Sequence, residues 1–441
     1  MARNRYVVID GEMKLMPNSI WDLVSLITQG DRLWLRIARE IITRFFRGSG
    51  GIPADTTIAA LLSHHLGPSS VQLASAVMHG IYAGDVKNLS ARSLLPSLYF
   101  HASHGNGIIP SLLLRGDYHS LAEEEVYESP RSKVFLKLHE KMKEMSVIYF
   151  RGGLETLTTA LRARLSKLSN VRIYTGKEAV SLDYDVNDKV LKLSFKADGA
   201  IQEQASFDKV ISALPAHQTA LLSPDLEVAG LIKPVTVMVI NLYYSNPDVL
   251  KGIQGFGCLF AQSQNPNYNK ENVLGVIFDS YVTPDVDESS ADKNTCGSKL
   301  TVMMGGHFWT GRDTLPSESE ALGNAIAALQ RLFGITELPI SSKVTLQEDC
   351  ISQYQVGHYK TLMALKAQLI EKFDSRLAVV GSSYTGVGVN DCVRSARSLA
   401  MNLKNDANSI GFPYPEAWIP TKKPAFKGQI VSEEEEGPET L

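Results

Sequence analysis

The sequence predicts a mixed α/β and α+β fold built from more than one domain. Three observations carry that reading. Helical periodicity dominates residues 18–145, and alternating strand patterns dominate 178–310. A strand, a glycine-rich turn and a helical pattern then follow one another over 377–404. At 441 residues, the chain has the length for two or three domains and a large core.

Composition narrows the classes. With 44% hydrophobic and 21% charged residues, the chain is of ordinary globular type. A formal net charge of −3 lacks the basic excess of a nucleic-acid surface, so no nucleic-acid partner is expected. The four cysteines (258, 296, 350, 392) are far apart and form no CxxC pair, which points to reduced thiols rather than a disulfide framework or a zinc site. No stretch reaches the ~18–20 apolar residues of a spanning helix.

The start, MARNRYVVIDGEMKL, is neither a signal peptide nor a transit peptide. It predicts strand–turn–strand with Asp10-Gly11 at the turn, so the chain opens in mid-sheet. In DRLWLRIAREIITRFFR (31–47), Trp34, Ile37, Ala38, Ile41, Ile42 and Phe45 share a helical stripe beside five arginines. Two readings stay open: a surface helix packed on the core, or an interfacial helix on an anionic membrane. After GSGGIPADT, Asp55 or Thr56 is expected to cap the next helix. Residues 114–132 are polar and acidic, as in a mobile loop.

From 147 the expected order is strand, Gly152-Gly153 turn, helix, strand, with Leu154, Leu157, Leu161, Leu165 and Leu168 as the buried stripe. Strands are expected in EAVSLDYDV, KVLKLSFKA, FDKVISALPA, VTVMVINLYY, VLGVIFDS and KLTVMMGGHF. A helix at 317–333 precedes a strand near 342–348. The tail 420–441 ends in SEEEEGPETL and reads as disordered.

The chemistry-bearing stretch is GSSYTGVGVND (381–391), which follows the apolar run LAVV. Gly381, Gly386 and Gly388 permit tight turning, and Asn390 or Asp391 can cap a helix whose N–H groups favour a pyrophosphate or anionic ring. This predicts an incomplete, discontinuous Rossmann-like nucleotide-binding domain. The stretch itself is GxGxxD, and no complete GxGxxG occurs elsewhere: GSGGIP, GNGIIP and GFGCLF all fail at the third glycine. No histidine set has metal-ligand spacing, and His307 and His358 are expected to be buried and hydrogen-bonded. No GxSxG elbow supports a serine nucleophile, so neither a catalytic residue nor a metal ligand is assigned.

NRYVVIDGEMKLMP, FRGGLETLTTAL, FDKVISALPA, QYQVGHY and GSSYTGVGVNDCVRSAR, in that order, resemble the protoporphyrinogen oxidase family of amine-oxidase-like flavoproteins. The resemblance implies FAD as cofactor and oxidation of protoporphyrinogen IX by six electrons, with dioxygen as acceptor. It implies an N-terminal βαβ unit with GxGxxG that is missing here, which puts FAD binding and activity of this chain in question. It divides the chain into a FAD-binding domain (147–215 and 372–412), a helical membrane-associated domain (15–146) and a strand-rich substrate domain (1–14 and 216–371). The implied partners are a tetrapyrrole, a membrane surface and a second copy in a homodimer. The implied location is the face of the mitochondrial inner membrane.

By position, the resemblance gives Val180 to the adenine end of FAD, and Gly381, Val387, Gly388 and Val389 to the flavin-facing loop. Gln347 falls where the family often has a large or aromatic residue near the flavin. Arg5 corresponds to an arginine holding a substrate propionate, with Ile351, Met303 and Phe308 lining the pocket. Two alternatives stay open: another amine-oxidase-like oxidase or desaturase, and a non-catalytic remnant that binds a tetrapyrrole or a partner.

Overall fold

Asp10 and Gly11, with φ of 50° and 84°, turn β1 (Arg5–Ile9) back onto β2 (Glu12–Leu15), as expected of an Asp-Gly hairpin. The computed structural model describes residues 4–45, 53–103, 107–110, 149–150, 152–197, 200–283 and 297–404, with short pieces at 118–120, 131–132, 141, 418–420 and 430–431. Among the described residues, the hairpin is followed by α1 (Ile20–Thr28), α2 (Arg32–Phe45), α3 (Ile58–His65), α4 (Pro68–Tyr82), α5 (Ala91–Leu94) and α6 (Pro96–Ser103). After β3 (Tyr118–Ser120) and β4 (Arg131–Ser132) comes α7 (Glu155–Leu165). A three-stranded antiparallel meander is next: β5 (Glu178–Asp185), β6 (Val190–Ala197) and β7 (Ala200–Phe207). The rest runs β8 (Val210–Ser212), α8 (Ala216–Thr219), β9 (Pro234–Tyr244), β10 (Gly257–Phe260), β11 (Val273–Ile277), α9 (Asp279–Val282), β12 (Ser298–Gly305), α10 (Glu318–Phe333), β13 (Ser341–Ser352), α11 (His358–Phe373), β14 (Leu377–Val379) and α12 (Val389–Lys404). Finally, β15 (Trp418–Pro420) pairs with β3, and β16 (Ile430–Val431) pairs with β4.

The main sheet has seven strands in the order β13-β9-β12-β11-β10-β1-β2, antiparallel except where β1 joins β10. Its two faces follow the period-2 rule. On β9, Met238, Ile240 and Leu242 pack with Ala325 and Leu329 of α10, whereas Val235, Val237 and Val239 point to the other face. On β1, Val8 joins the first face, while Val7 and Ile9 pack with Leu33, Trp34 and Ile37 of α2. Helix α10 opens with a Ser317/Glu320 capping box and ends at Gly334 with φ of 64°.

A second core joins Leu182, Leu191 and Leu193 of the meander to Leu226, Ala229 and Ile232, to Leu362, Leu365, Leu369 and Phe373 of α11, and to Leu377 and Val379. This packing crosses the sequence positions 215/216 and 371/372. β8 and β14 form a parallel pair of two strands, Leu377–Val379 against Val210–Ser212. A third core lies within the helices, around Ile58, Leu61, Met78, Leu89 and Ile108.

Several expectations need correction. The helix expected after GSGGIPADT is capped by Thr57, whose side chain accepts from Ala60 N, because Asp55 is engaged elsewhere. Ile42 is 66% exposed, since the α2 stripe buried against β1 is Leu33, Trp34 and Ile37. The expected burial of the α7 leucines fails: no residue of this helix is buried, and Leu154, Leu161, Leu165 and Leu168 are all exposed. Residues 171–175, expected as a strand, form none, having no ladder partner among the described residues. The expected strand at 147–150, the loop 114–132 and the acidic tail lie largely outside the described residues.

The contrast between β9 and α7 is measurable by urea denaturation. Ile240→Ala, at 0% exposure, is expected to cost about 2–5 kcal/mol. Leu161→Ala, at 55% exposure, is expected to stay within about 0.5 kcal/mol.

Candidate functional site

The loop 381–388 leaves the C-terminal end of β14 and enters α12, the end of a parallel strand pair where ligands of open α/β sheets are met. Its shape is held from beneath. Tyr354 Oη donates to Ser382 O at 2.6 Å and accepts from Gly386 N at 2.8 Å. His358 Nε2 donates to Tyr384 O at 2.9 Å, and its ring lies flat on Tyr354, 4.1 Å between centroids. Ser383 Oγ contacts Ser352 Oγ at 2.8 Å and accepts from Ala216 N. The two motifs QYQVGHY and GSSYTGVGVND are therefore one structural unit.

At Gly386 φ is 156°, and a Cβ would fall 2.4 Å from the Asp391 side chain, so only glycine fits. Asp391 sits at the third position of α12 and accepts from Gly388 N at 3.3 Å. Neither Asn390 nor Asp391 is thus the N-cap; Gly388, whose carbonyl accepts from Cys392 N, takes that place. Gly388, Val389 and Asn390 are exposed, and Val387 is half-buried, so the start of a 16-residue helix faces outward.

A second feature lies between α4 and the main sheet: a cavity of about 730 Å³, within the usual range for small-molecule sites. Arg5 and Met303 both line it, with Leu274, Val276, Cys258 and His79 among the other walls. Gly80 and Gly275 leave room for Leu259, whose side chain would lie 2.7 and 2.9 Å from a Cβ at either position. Burial raises the Cys258 thiol to about 12, so it stays protonated.

His79 is locked in one tautomer. Its Nδ1 lies 2.5 Å from Phe260 O, which can only accept, so Nδ1 carries the proton. Nε2 of the neutral ring then accepts from His307 Nε2 at 2.8 Å. Burial, and next the adjacent His307, lower His79 to about 3 against the opposing pull of Phe260 O and Asp85. Burial likewise lowers His307, which Asp85 opposes. Burial lowers His358 to about 4, against Tyr384 O and Asp55. His65 falls to about 4 through burial and then His64.

Of the residues singled out from sequence, Met303, Phe308 and Ile351 meet in one cluster around Val237 and Leu274, and Arg5 reaches the same region through the cavity. Gly381, Val387, Gly388 and Val389 share the loop. Val180 lies apart on β5 at a bulge, skipped in the register between Ala179 and Ser181. Gln347 is exposed on the edge strand β13, with Val237 as register partner. Sequence marks neither His79 nor Tyr354 as a functional residue beyond the QYQVGHY motif that contains Tyr354, and it marks Asp55 only as a helix cap.

Comparison with known proteins matches residues 14–403 to the family described as flavin containing amine oxidoreductase. The chain belongs to that family. Among the relatives of this flavin-dependent oxidoreductase, the protoporphyrinogen oxidase of Schizosaccharomyces pombe is 32% identical over 420 residues, 92% of this chain and 80% of that protein. That of Homo sapiens is 29% identical over 415 residues, 91% and 79% of the two chains. The fold is shared with a protein of Exiguobacterium sp. 255-15 assigned as a protoporphyrinogen oxidase (TM-score 0.68, 17% identity, 92% and 81% covered). It is also shared with reduced UDP-galactopyranose mutase (TM-score 0.59, 12% identity, 92% and 79% covered). The start of this long helix, with Gly388, Val389 and Asn390 exposed, is the kind of helix N-terminus that can hold an anionic dinucleotide.

The buried histidines set a pH dependence. Each folded-state pKa lies below the ordinary 6.5, so the unfolded chain binds more protons in acid. The contribution of these three histidines to stability is complete above that value and is lost as pH drops through the window toward 4 and 3. Unfolding at pH 5 is expected to take up about one proton each at His65, His79 and His358. In His358→Gln the uptake should fall by about one proton, read from the pH dependence of denaturant midpoints.

Proposed function

We propose that this chain is a protoporphyrinogen oxidase that takes protoporphyrinogen IX to protoporphyrin IX. The observation that carries this is an apolar cavity with a guanidinium on its wall, in a chain 32% identical over four-fifths of a protoporphyrinogen oxidase. FAD, when bound, would supply the oxidising power for this six-electron oxidation, with dioxygen as the final acceptor. The chain's own residues bind, orient and exclude water. Arg5 takes a propionate carboxylate, a contact suited to its planar donors. Met303, backed by Phe308 and Ile351, and the Leu274 wall hold the flat tetrapyrrole out of water. His79, kept neutral, leaves Arg5 the principal charge facing the ligand.

In this reading Gly381, Val387, Gly388 and Val389 meet the flavin and pyrophosphate, Val180 meets the adenine end through its bulged backbone, and Gln347 lies beside the flavin. The substrate domain takes 1–14 and 216–371, the FAD-binding domain 147–215 and 372–412, and the helical domain 15–146. The chain acts in haem synthesis as a peripheral homodimer on the mitochondrial inner membrane. Trp21 on α1, 77% exposed, and the outward arginines of α2 support contact with an anionic lipid surface. Among the described residues, no helix is long and apolar enough to cross a membrane.

FAD binding by these 441 residues alone is weak in this proposal. They hold no complete GxGxxG, and α7 leaves Leu161 and Leu165 exposed. The same observations favour a second reading, a tetrapyrrole-binding protein without turnover. Protoporphyrin fluorescence on mixing chain, FAD and protoporphyrinogen IX separates the two. Turnover is expected, with kcat/KM falling about 10–150-fold in Arg5→Ala. No turnover with saturating FAD, but tetrapyrrole binding lost in Arg5→Ala, would favour the second reading. The visible spectrum of the purified chain should show substoichiometric flavin, and a fully yellow protein would refute weak binding.

A further inference from the structure

The segment 352–358 is tied on its other side to the helical layer. Asp55 Oδ2 accepts from Gly357 N at 2.7 Å, while Oδ1 accepts from Ser90 Oγ at 2.7 Å and from Thr56 N. Ser90 N donates to Tyr354 O at 2.8 Å, and Val356 N to Asn88 O at 3.1 Å. Gln353 Nε2 donates to Tyr82 O at 2.7 Å, at the end of α4. Gly357 has φ of 95° and immediately precedes His358, so the Asp55 contact fixes where α11 begins. From there the stacked His358 and Tyr354 reach Tyr384, Ser382 and Gly386.

We propose that Asp55 is a positioning residue for the 381–389 loop, acting through Gly357 and the stacked Tyr354–His358 pair. One carboxylate satisfies donors from α5's cap, from the start of α3 and from the turn before α11, so its loss frees all three at once. A disturbance of residues 53–91, such as a ligand filling the cavity under α4, is thereby felt at the loop. The functional meaning rests on the loop's being the flavin-facing one, but the geometry does not. The test accordingly uses no flavin.

Hydrogen–deuterium exchange of the full chain, read by mass spectrometry, compares wild type with Asp55→Ala, Asp55→Asn and Asp31→Ala. Asp31 caps α2 through Leu33 N and makes no contact with 352–358, which makes it the matched control. Asp55→Ala is expected to speed exchange at 384–388 about tenfold or more and leave 238–242 unchanged. Asp55→Asn, which keeps an acceptor for Gly357, should restore most protection, and Asp31→Ala should leave the loop as it was. Unchanged loop exchange in Asp55→Ala, or acceleration equal at 384–388 and 238–242, would overturn the proposal. If Asp55→Ala does not fold, native-state exchange of the wild type under rising denaturant decides. Gly357 and Gly386 amides must open with one common free energy, and separate openings overturn the coupling.

Discussion

One phenol carries the site. Tyr354 places its hydroxyl between Ser382 O and Gly386 N, donating to one and accepting from the other. Gly386 is buried and must be glycine, so the loop has little freedom once that pair of bonds is made. Everything that orients Tyr354 is in turn drawn from elsewhere: the His358 ring beneath it, Ser90 N on its carbonyl, and Pro234 of the main sheet paired with Ser352. Burial raises the Tyr354 phenol well above its ordinary range, so it remains a donor throughout the physiological span. Helices, sheet and loop converge on seven residues, 352–358.

The cavity obeys a complementary constraint of charge. A wall of Leu274, Val276 and Met303 offers no compensation for an ion, and the histidine that faces it is held neutral by its burial and by the adjacent imidazole of His307, while the Phe260 carbonyl fixes its tautomer. A ligand with an apolar body and a carboxylate suits such a wall.

The sheet was largely legible because β9, β11 and β12 are short apolar runs bounded by polar or glycine residues, and the Asp-Gly hairpin has a turn chemistry that few other pairs supply. The residues of the loop were legible from their glycines. Its support was not: Asp55 reaches Gly357 across 302 residues of sequence, and no local pattern reports such a contact. The α7 leucines show the converse failure. A regular apolar stripe reveals which face a helix would bury, not whether a layer lies there, and in this chain the stripe is exposed. Helix α11 buries Leu362, Leu365, Leu369 and Phe373, but it starts behind Gly357 with no side-chain cap and no acidic first turn to mark it in sequence.

The central claim is that Tyr354 presets the 381–388 loop, which is proposed to receive the flavin. FAD titrated into wild type and Tyr354→Phe, followed by quenching of flavin fluorescence, tests it directly. The account predicts binding by the wild type, and about tenfold weaker binding by the variant, from the loss of two buried hydrogen bonds at an unchanged ring. Equal affinities, or no binding by the wild type, would contradict it.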